Sequence, residues 1–93
     1  MTLIEFDPAK NDENRRKHGI DLAQFVEMDL ATVIAIEDTR RDYGETRLRL
    51  LGLIGARLFA AVITPRGDKI RVISLRRANR REERAYAKER QTA

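Results

Sequence analysis

Leu3, Ile4 and Phe6 alternate weakly with polar neighbours and predict a short strand over residues 2–6. Asp7-Pro8 comes next. Aspartate suits an N-cap and proline the first helical position, so a helix is expected over 8–18, with Gly19 placed to stop it. A second helix is expected from Asp21: Gln24 stands three residues on, as in a capping box, and Leu22, Phe25 and Val26 recur at helical spacing.

From Thr32 the texture turns β-branched and aliphatic. Strands are expected over 32–37, 46–54, 57–64 and 69–76. A polar loop over 38–44 separates the first two, Gly55-Ala56 makes a tight hairpin, and Pro65-Arg66-Gly67-Asp68 is a turn signature. Successive strands with short connections favour an antiparallel meander. Asn79 then opens a terminal helix over 80–90, with Glu82 three residues later as its reciprocal cap, and residues 91–93 are expected to fray. The expected fold is α+β: a single domain, 1–93, with two N-terminal helices packed on about four antiparallel strands and a C-terminal helix.

Two of these helices are unlike core helices. The first has no large apolar residue, and the last offers only Ala85, Tyr86 and Ala87. Helices this polar gain little from burial and are marginal alone. Either their long side chains lie over the sheet by their aliphatic stems, or their polar faces meet a partner.

Composition narrows the classes. Ninety-three residues hold one hydrophobic core, and the 42% hydrophobic share is enough to fold it despite 37% charged residues. No apolar run approaches the ~18 residues of a membrane span. The N-terminus lacks the basic-then-apolar order of a secretory signal, so a cytoplasmic protein with no membrane contact is expected. With no cysteine and one histidine, disulfides and thiol chemistry are excluded, and no metal site or cofactor is expected.

The net charge of +4 is unevenly spread. Residues 1–64 carry 9 basic and 11 acidic side chains, a balance of −2; residues 65–93 carry 10 and 4, a balance of +6. Most of the basic residues are arginine, the side chain suited to bidentate phosphate recognition. A polyanion is the expected partner: nucleic acid or an acidic protein, with a membrane surface a weaker option.

Two groups of residues carry candidate chemistry. Asp7, Lys10, Asn14, Lys17 and His18 share one face of the first helix. His18 at its end is either a general acid or base, or a C-terminal residue matched to the helix dipole. In the sheet, Arg47 and Arg49 share a strand face. Arg71 and Arg77 have one parity in the last strand, and Arg76 has the other, beside Ile70, Val72 and Ser74. Arg76-Arg77-Ala78-Asn79-Arg80-Arg81 crowds four guanidiniums into one strand-to-helix junction, where a bound anion would relieve their repulsion. Tyr86 either stacks on a base or anchors its helix.

These same segments resemble the BrnT family of RelE-like ribonuclease toxins of type II toxin–antitoxin systems. The matching stretches are Phe6-Asp7-Pro8-Ala9-Lys10, Asn14, Lys17-His18-Gly19, Gly44-Glu45 with Arg47, the run from Arg66 through Lys69 to Ser74, and then Arg77-Ala78, Arg81-Glu82, Glu83-Arg84 and Tyr86. They occur in the family's order over nearly the whole chain, with Phe6 where the family often has tryptophan.

The resemblance implies a RelE-like fold and an mRNA interferase that cleaves RNA and arrests translation and growth. It also implies a ribbon-helix-helix antitoxin that neutralises the toxin in a heterotetramer and brings it to operator DNA. Metal-independent cleavage through the ribose 2′-hydroxyl needs a base, an acid and cations around the phosphorane. On that basis Arg47, Arg71, Arg76 and Arg77 are expected to stabilise charge. His18 or Glu45 is the expected base, Lys17 adds charge, and Arg66, Arg80, Arg81, Arg84 and Tyr86 contact RNA. Two other classes stay open: a non-catalytic RNA- or ribosome-binding module, and an interaction subunit that only holds an acidic partner.

Overall fold

The computed structural model describes residues 3–92, the side chains of 91 and 92 excepted. Position 2 of the first expected strand and position 93 of the tail lie outside the described residues. The elements are β1 (Leu3–Glu5), α1 (Pro8–His18), a 3-10 turn (Leu22–Glu27), β2 (Asp29–Glu37), β3 (Leu48–Ile54), β4 (Arg57–Arg66), β5 (Lys69–Arg77) and α2 (Arg80–Thr92). Helix α2 continues through Thr92, where fraying was expected from residue 91.

The strands form one five-stranded sheet in the order β1-β5-β4-β3-β2. The meander β2 to β5 is antiparallel, as its short connections predict, but β1 runs parallel to β5, with Ile4 beside Ile70 and Glu5 beside Arg71. The sheet is therefore mixed. The crossover that a parallel pairing requires runs through α1, the 3-10 turn and strands β2 to β4. Both hairpins close through two residues, Gly55-Ala56 and Gly67-Asp68. In each the first residue is a glycine with φ of 61°, as a type II′ turn demands. Pro65 is absorbed into β4 opposite Ile70, near the sheet's end.

The second expected helix is a correction. Only six residues, Leu22–Glu27, wind as 3-10 before Met28 returns to extended backbone and β2 begins at Asp29. The Asp21 cap is real, its Oδ1 accepting from the Ala23 N–H at 2.9 Å. What shortens the helix is the β-branched stretch behind it, which pairs with β3 as far back as Asp29 opposite Leu53. A wide irregularity in β2 is held by Thr32, whose hydroxyl donates to the Asp29 carbonyl at 2.6 Å and accepts from the Leu53 N–H at 3.0 Å.

The core lies on one face of the sheet. Ile20, Leu22, Phe25 and Met28 pack there against Leu50, Phe59, Ala61, Ile63, Val72 and Leu75. Each fully buried large side chain contributes about 1.5–3 kcal/mol. Gly52 lets the chain close: a Cβ there would stand 2.8 Å from both Met28 Sδ and Val33 Cγ2. Helix α1 docks differently, through two buried amides. Asn14 Nδ2 donates to the Ile20 and Leu75 carbonyls, both at 2.8 Å, and its Oδ1 accepts from the Leu75 N–H at 3.2 Å. Asn11 Oδ1 accepts from the Leu22 N–H at 2.8 Å. The apolar poverty of α1 thus has a structural cause: side-chain amides staple it, Asn14 to β5 and Asn11 to the 3-10 turn.

Candidate anion-binding face

The opposite face of the sheet collects the arginines. Cross-strand partners share a face, so Arg49, Val62 and Ser74 form one row, and Leu51, Ala60 and Arg76 the next. One residue beyond the Leu48–Ile63 pair, Arg47 falls opposite Thr64, which in turn pairs with Arg71, which pairs with Glu5. A transverse row Arg47–Thr64–Arg71–Glu5 therefore runs from the residue before β3 across β4, β5 and β1.

Placing Arg71 in that row corrects the parity expected from sequence. Val62 pairs with Ser74 but Ile63 with Val72, so Ile73 is an extra residue, a β-bulge. The inserted residue reverses alternation. Arg71 comes onto the same face as Arg76, while Arg77 joins Val72 and Leu75 on the core side, at the exposed end of β5 opposite Phe59. Arg77 lines a separate hollow with Arg57, Ala78 and Glu83. The expected pairing of Arg71 with Arg77 is replaced by Arg71 with Arg76.

The centre of the row is dehydrated and unpaired. Thr64 is 1% exposed and its Oγ1 has no hydrogen-bond partner; Arg47 Nε and Arg71 Nε are likewise buried without one. Leaving such groups unpaired costs about 1–3 kcal/mol each.

Loop residues hold Arg47 in place. The Asp38 N–H donates to the Arg47 carbonyl at 2.7 Å, and the Arg47 guanidinium lies 4.1 Å above the Tyr43 ring. The Tyr43 hydroxyl donates to Asp38 at 3.2 Å, and Arg40 grips the same carboxylate through Nε and Nη2 at 2.9 Å each. These bonds, Arg40 foremost, keep the buried Asp38 carboxyl well below the usual carboxylate range. Glu45 borders the row from the same loop, ion-paired to Arg66 at 3.3 Å.

Helix α2 leans over this face and makes a groove of about 470 Å³, lined by Ile34, Ile36, Arg49, Arg76, Arg81 and Glu82 among others. The crowded junction carries its own anion. Glu82 receives Arg76 Nη1 at 2.8 Å and Nη2 at 2.9 Å. The expected capping box is also formed, Asn79 N–H to Glu82 Oε1 at 2.9 Å and Glu82 N–H to Asn79 Oδ1 at 2.8 Å. Arg76 first, then the Asn79 N–H and the charge of Arg49, hold the Glu82 carboxyl below its ordinary value. Tyr86 anchors α2, its hydroxyl donating to the Thr32 carbonyl at 2.6 Å.

Other expected site residues stand apart. Lys17 is tied to Glu13 at 2.7 Å, and exposed His18 ends α1. Among the described residues no hydrogen bond or ion pair joins either to an arginine of the row. Arg80 and Arg84 are exposed on α2. Thr64 and Glu5 are the residues that sequence reasoning missed. A lone threonine in a strand carries no signal, and Glu5 acquires one only through the parallel pairing of β1.

Fold and face together define a small α+β protein with a cationic, partly dehydrated sheet surface. The model of the family described as ribonuclease toxin, BrnT, of type II toxin-antitoxin system matches residues 6–82, and the chain belongs to that family. RNA is accordingly its substrate and an antitoxin its counterpart. No curated protein matches the chain. No helix among the described residues is long and apolar enough to cross a membrane.

Proposed function

We propose that the arginine face is the ribonuclease centre, and that the scissile phosphate lies on the Arg47–Thr64–Arg71 row. The observation that carries this is the set of three buried, unpaired polar atoms on that row. Phosphate oxygens would accept from the partly exposed Arg47 and Arg71 guanidiniums, with the buried Thr64 hydroxyl between them in the row. Donors pre-set in a dehydrated site are worth far more to a developing charge than donors in water.

In this reading Arg47 and Arg71 stabilise the phosphorane. A carboxylate at the border of the row takes the 2′-hydroxyl proton: Glu45, with Glu5 as the second candidate. The 2′-oxygen attacks phosphorus, the bond from phosphorus to the 5′-oxygen breaks, and that oxygen takes a proton from water, giving a 2′,3′-cyclic phosphate and a 5′-hydroxyl end. Arg66, Arg80, Arg81 and Arg84 hold the flanking strand by charge. The base is assigned to a carboxylate rather than to His18, because among the described residues no hydrogen bond or ion pair ties His18 to this face.

We infer further that the enzyme is an mRNA interferase acting in the cytoplasm to stop translation. Its antitoxin is a ribbon-helix-helix protein that binds it as a heterotetramer and links it to operator DNA. The sequence resemblance supports both statements.

Two substitutions test the row. Arg71→Ala should lower the rate of RNA cleavage by the purified protein by about 10²–10³-fold while RNA binding persists and the protein stays folded. Thr64→Val should do something less usual. It removes an unsatisfied hydroxyl, so the variant should be more stable, by about 1 kcal/mol or more, yet cleave more slowly. Full cleavage by both variants would sink the assignment; binding without cleavage by the wild-type protein would make this an RNA-binding module.

A further inference from the structure

The groove beside the row already contains an anion, the Glu82 carboxylate. Its two oxygens meet Arg76 Nη1 and Nη2 at 2.8 and 2.9 Å, the two-pronged geometry by which arginine takes a phosphate. Arg49 stands one row away on the same face, and Arg40 and Arg81 line the same groove. Arg40 is already matched by Asp38, which leaves Arg49, Arg76 and Arg81 facing one carboxylate, so the groove stays cationic with Glu82 in place. Its apolar wall, Ile34, Ile36 and Leu51, offers surface to a base or sugar, and Ile36 is 53% exposed.

We propose that Arg49 and Arg76 form a subsite for a second phosphate of the RNA strand, and that the Glu82 carboxylate occupies it until the strand displaces it. The proposal rests on the reading of the row as the place of cleavage and extends it by naming the neighbouring subsite. The displaced carboxylate stays on α2, so the strand's phosphate adds one negative charge to a groove in which guanidiniums outnumber carboxylates. The released carboxylate keeps the Asn79 N–H as a partner. The ion pair being exchanged is partly open to water, with side-chain exposures of 39% and 24%, and such pairs are individually weak.

The test is binding of an eight-nucleotide 2′-O-methyl RNA, which lacks the attacking hydroxyl, followed by fluorescence anisotropy over a range of salt. Glu82→Gln keeps an oxygen for the Asn79 N–H but loosens the hold on Arg76, and should bind the oligonucleotide several-fold more tightly. Arg76→Ala should bind more weakly, and its plot of log K against log salt should flatten by about 0.7, the share of one single-strand phosphate. The double variant Glu82→Gln/Arg76→Ala should show no gain over Arg76→Ala. Arg49→Ala, which touches no cap of α2, should weaken binding even if Glu82→Gln unfolds.

A folded Glu82→Gln variant that binds no tighter would overturn the proposal, and so would a gain that survives in the double variant. Tightening towards a poly-glutamate peptide but not towards RNA would also overturn it, reassigning the subsite to a protein partner. Failure of the wild-type protein to cleave RNA would instead count against the reading of the row, and leaves this binding comparison intact.

Discussion

The two faces of the sheet are built on opposite principles. The inner face is closed by apolar contacts, with Phe25 and Leu22 pressed onto Leu50, Ile63 and Leu75. On the outer face arginines share a surface with partners only for some of them: Arg76 has Glu82, whereas Arg47 Nε and Arg71 Nε have none. Dehydrated polar groups without partners oppose folding, and close packing favours it. The inner face therefore supplies the stability that lets the outer face keep its row unpaired. This division is what a ribonuclease site needs, because donors already satisfied within the protein have nothing left for a phosphate.

If the division holds, inner-face substitutions should act on activity only through folding. Phe25→Ala removes a ring that is 2% exposed and should cost about 3–5 kcal/mol in chemical denaturation. Cleavage by whatever fraction remains folded should proceed at the normal rate per folded molecule. A folded Phe25→Ala protein with a slow chemical step would break the comparison.

Asn14→Ala probes the polar seam between the faces. It strands the Leu75 N–H and two carbonyls, and should destabilise by about 1–3 kcal/mol. Asn14→Asp should not rescue, since the carboxylate has no N–H to offer the Ile20 and Leu75 carbonyls. Equal stability of wild type and Asn14→Ala would show that α1 is held by something else.

The smallest effect concerns acid. The Asp38 carboxyl is depressed in the folded protein, so the stability it contributes is present above the ordinary carboxylate range, near pH 4, and is lost as pH falls towards the folded value. Unfolding midpoints followed from pH 6 down to pH 2.5 should fall less steeply in Asp38→Asn than in wild type. The outer face, through Asp38 and Arg47, should lose order before the inner one. Coincident loss of Tyr43 environment and far-UV signal would count against separate behaviour of the faces.

Much of this architecture was legible because it is local. The Asp7 cap, the Gly19 stop at φ of 69°, the two glycine hairpins and the Asn79–Glu82 capping box depend on residues within a few positions of each other. The site was legible only in part. Arginine-rich segments were visible as charge, but whether two arginines share a face depends on every residue between them keeping strict alternation. Ile73 breaks it.

By itself, then, the sequence determined the meander strands, the first and last helices, the caps, the turns and the concentration of cationic charge towards its C-terminal third. It also carried the ordered motifs by which the family is known. Tertiary structure alone decided that β1 joins the sheet parallel to β5 and so brings Glu5 beside Arg71. It decided that the stretch after Asp21 yields to strand pairing, and that the Ile73 bulge turns Arg71 onto the outer face and leaves Arg77 on the other. The reason is common to all three. Each outcome is a competition between a weak local preference and pairing with a segment distant in sequence, and the distant contacts, being cooperative, win.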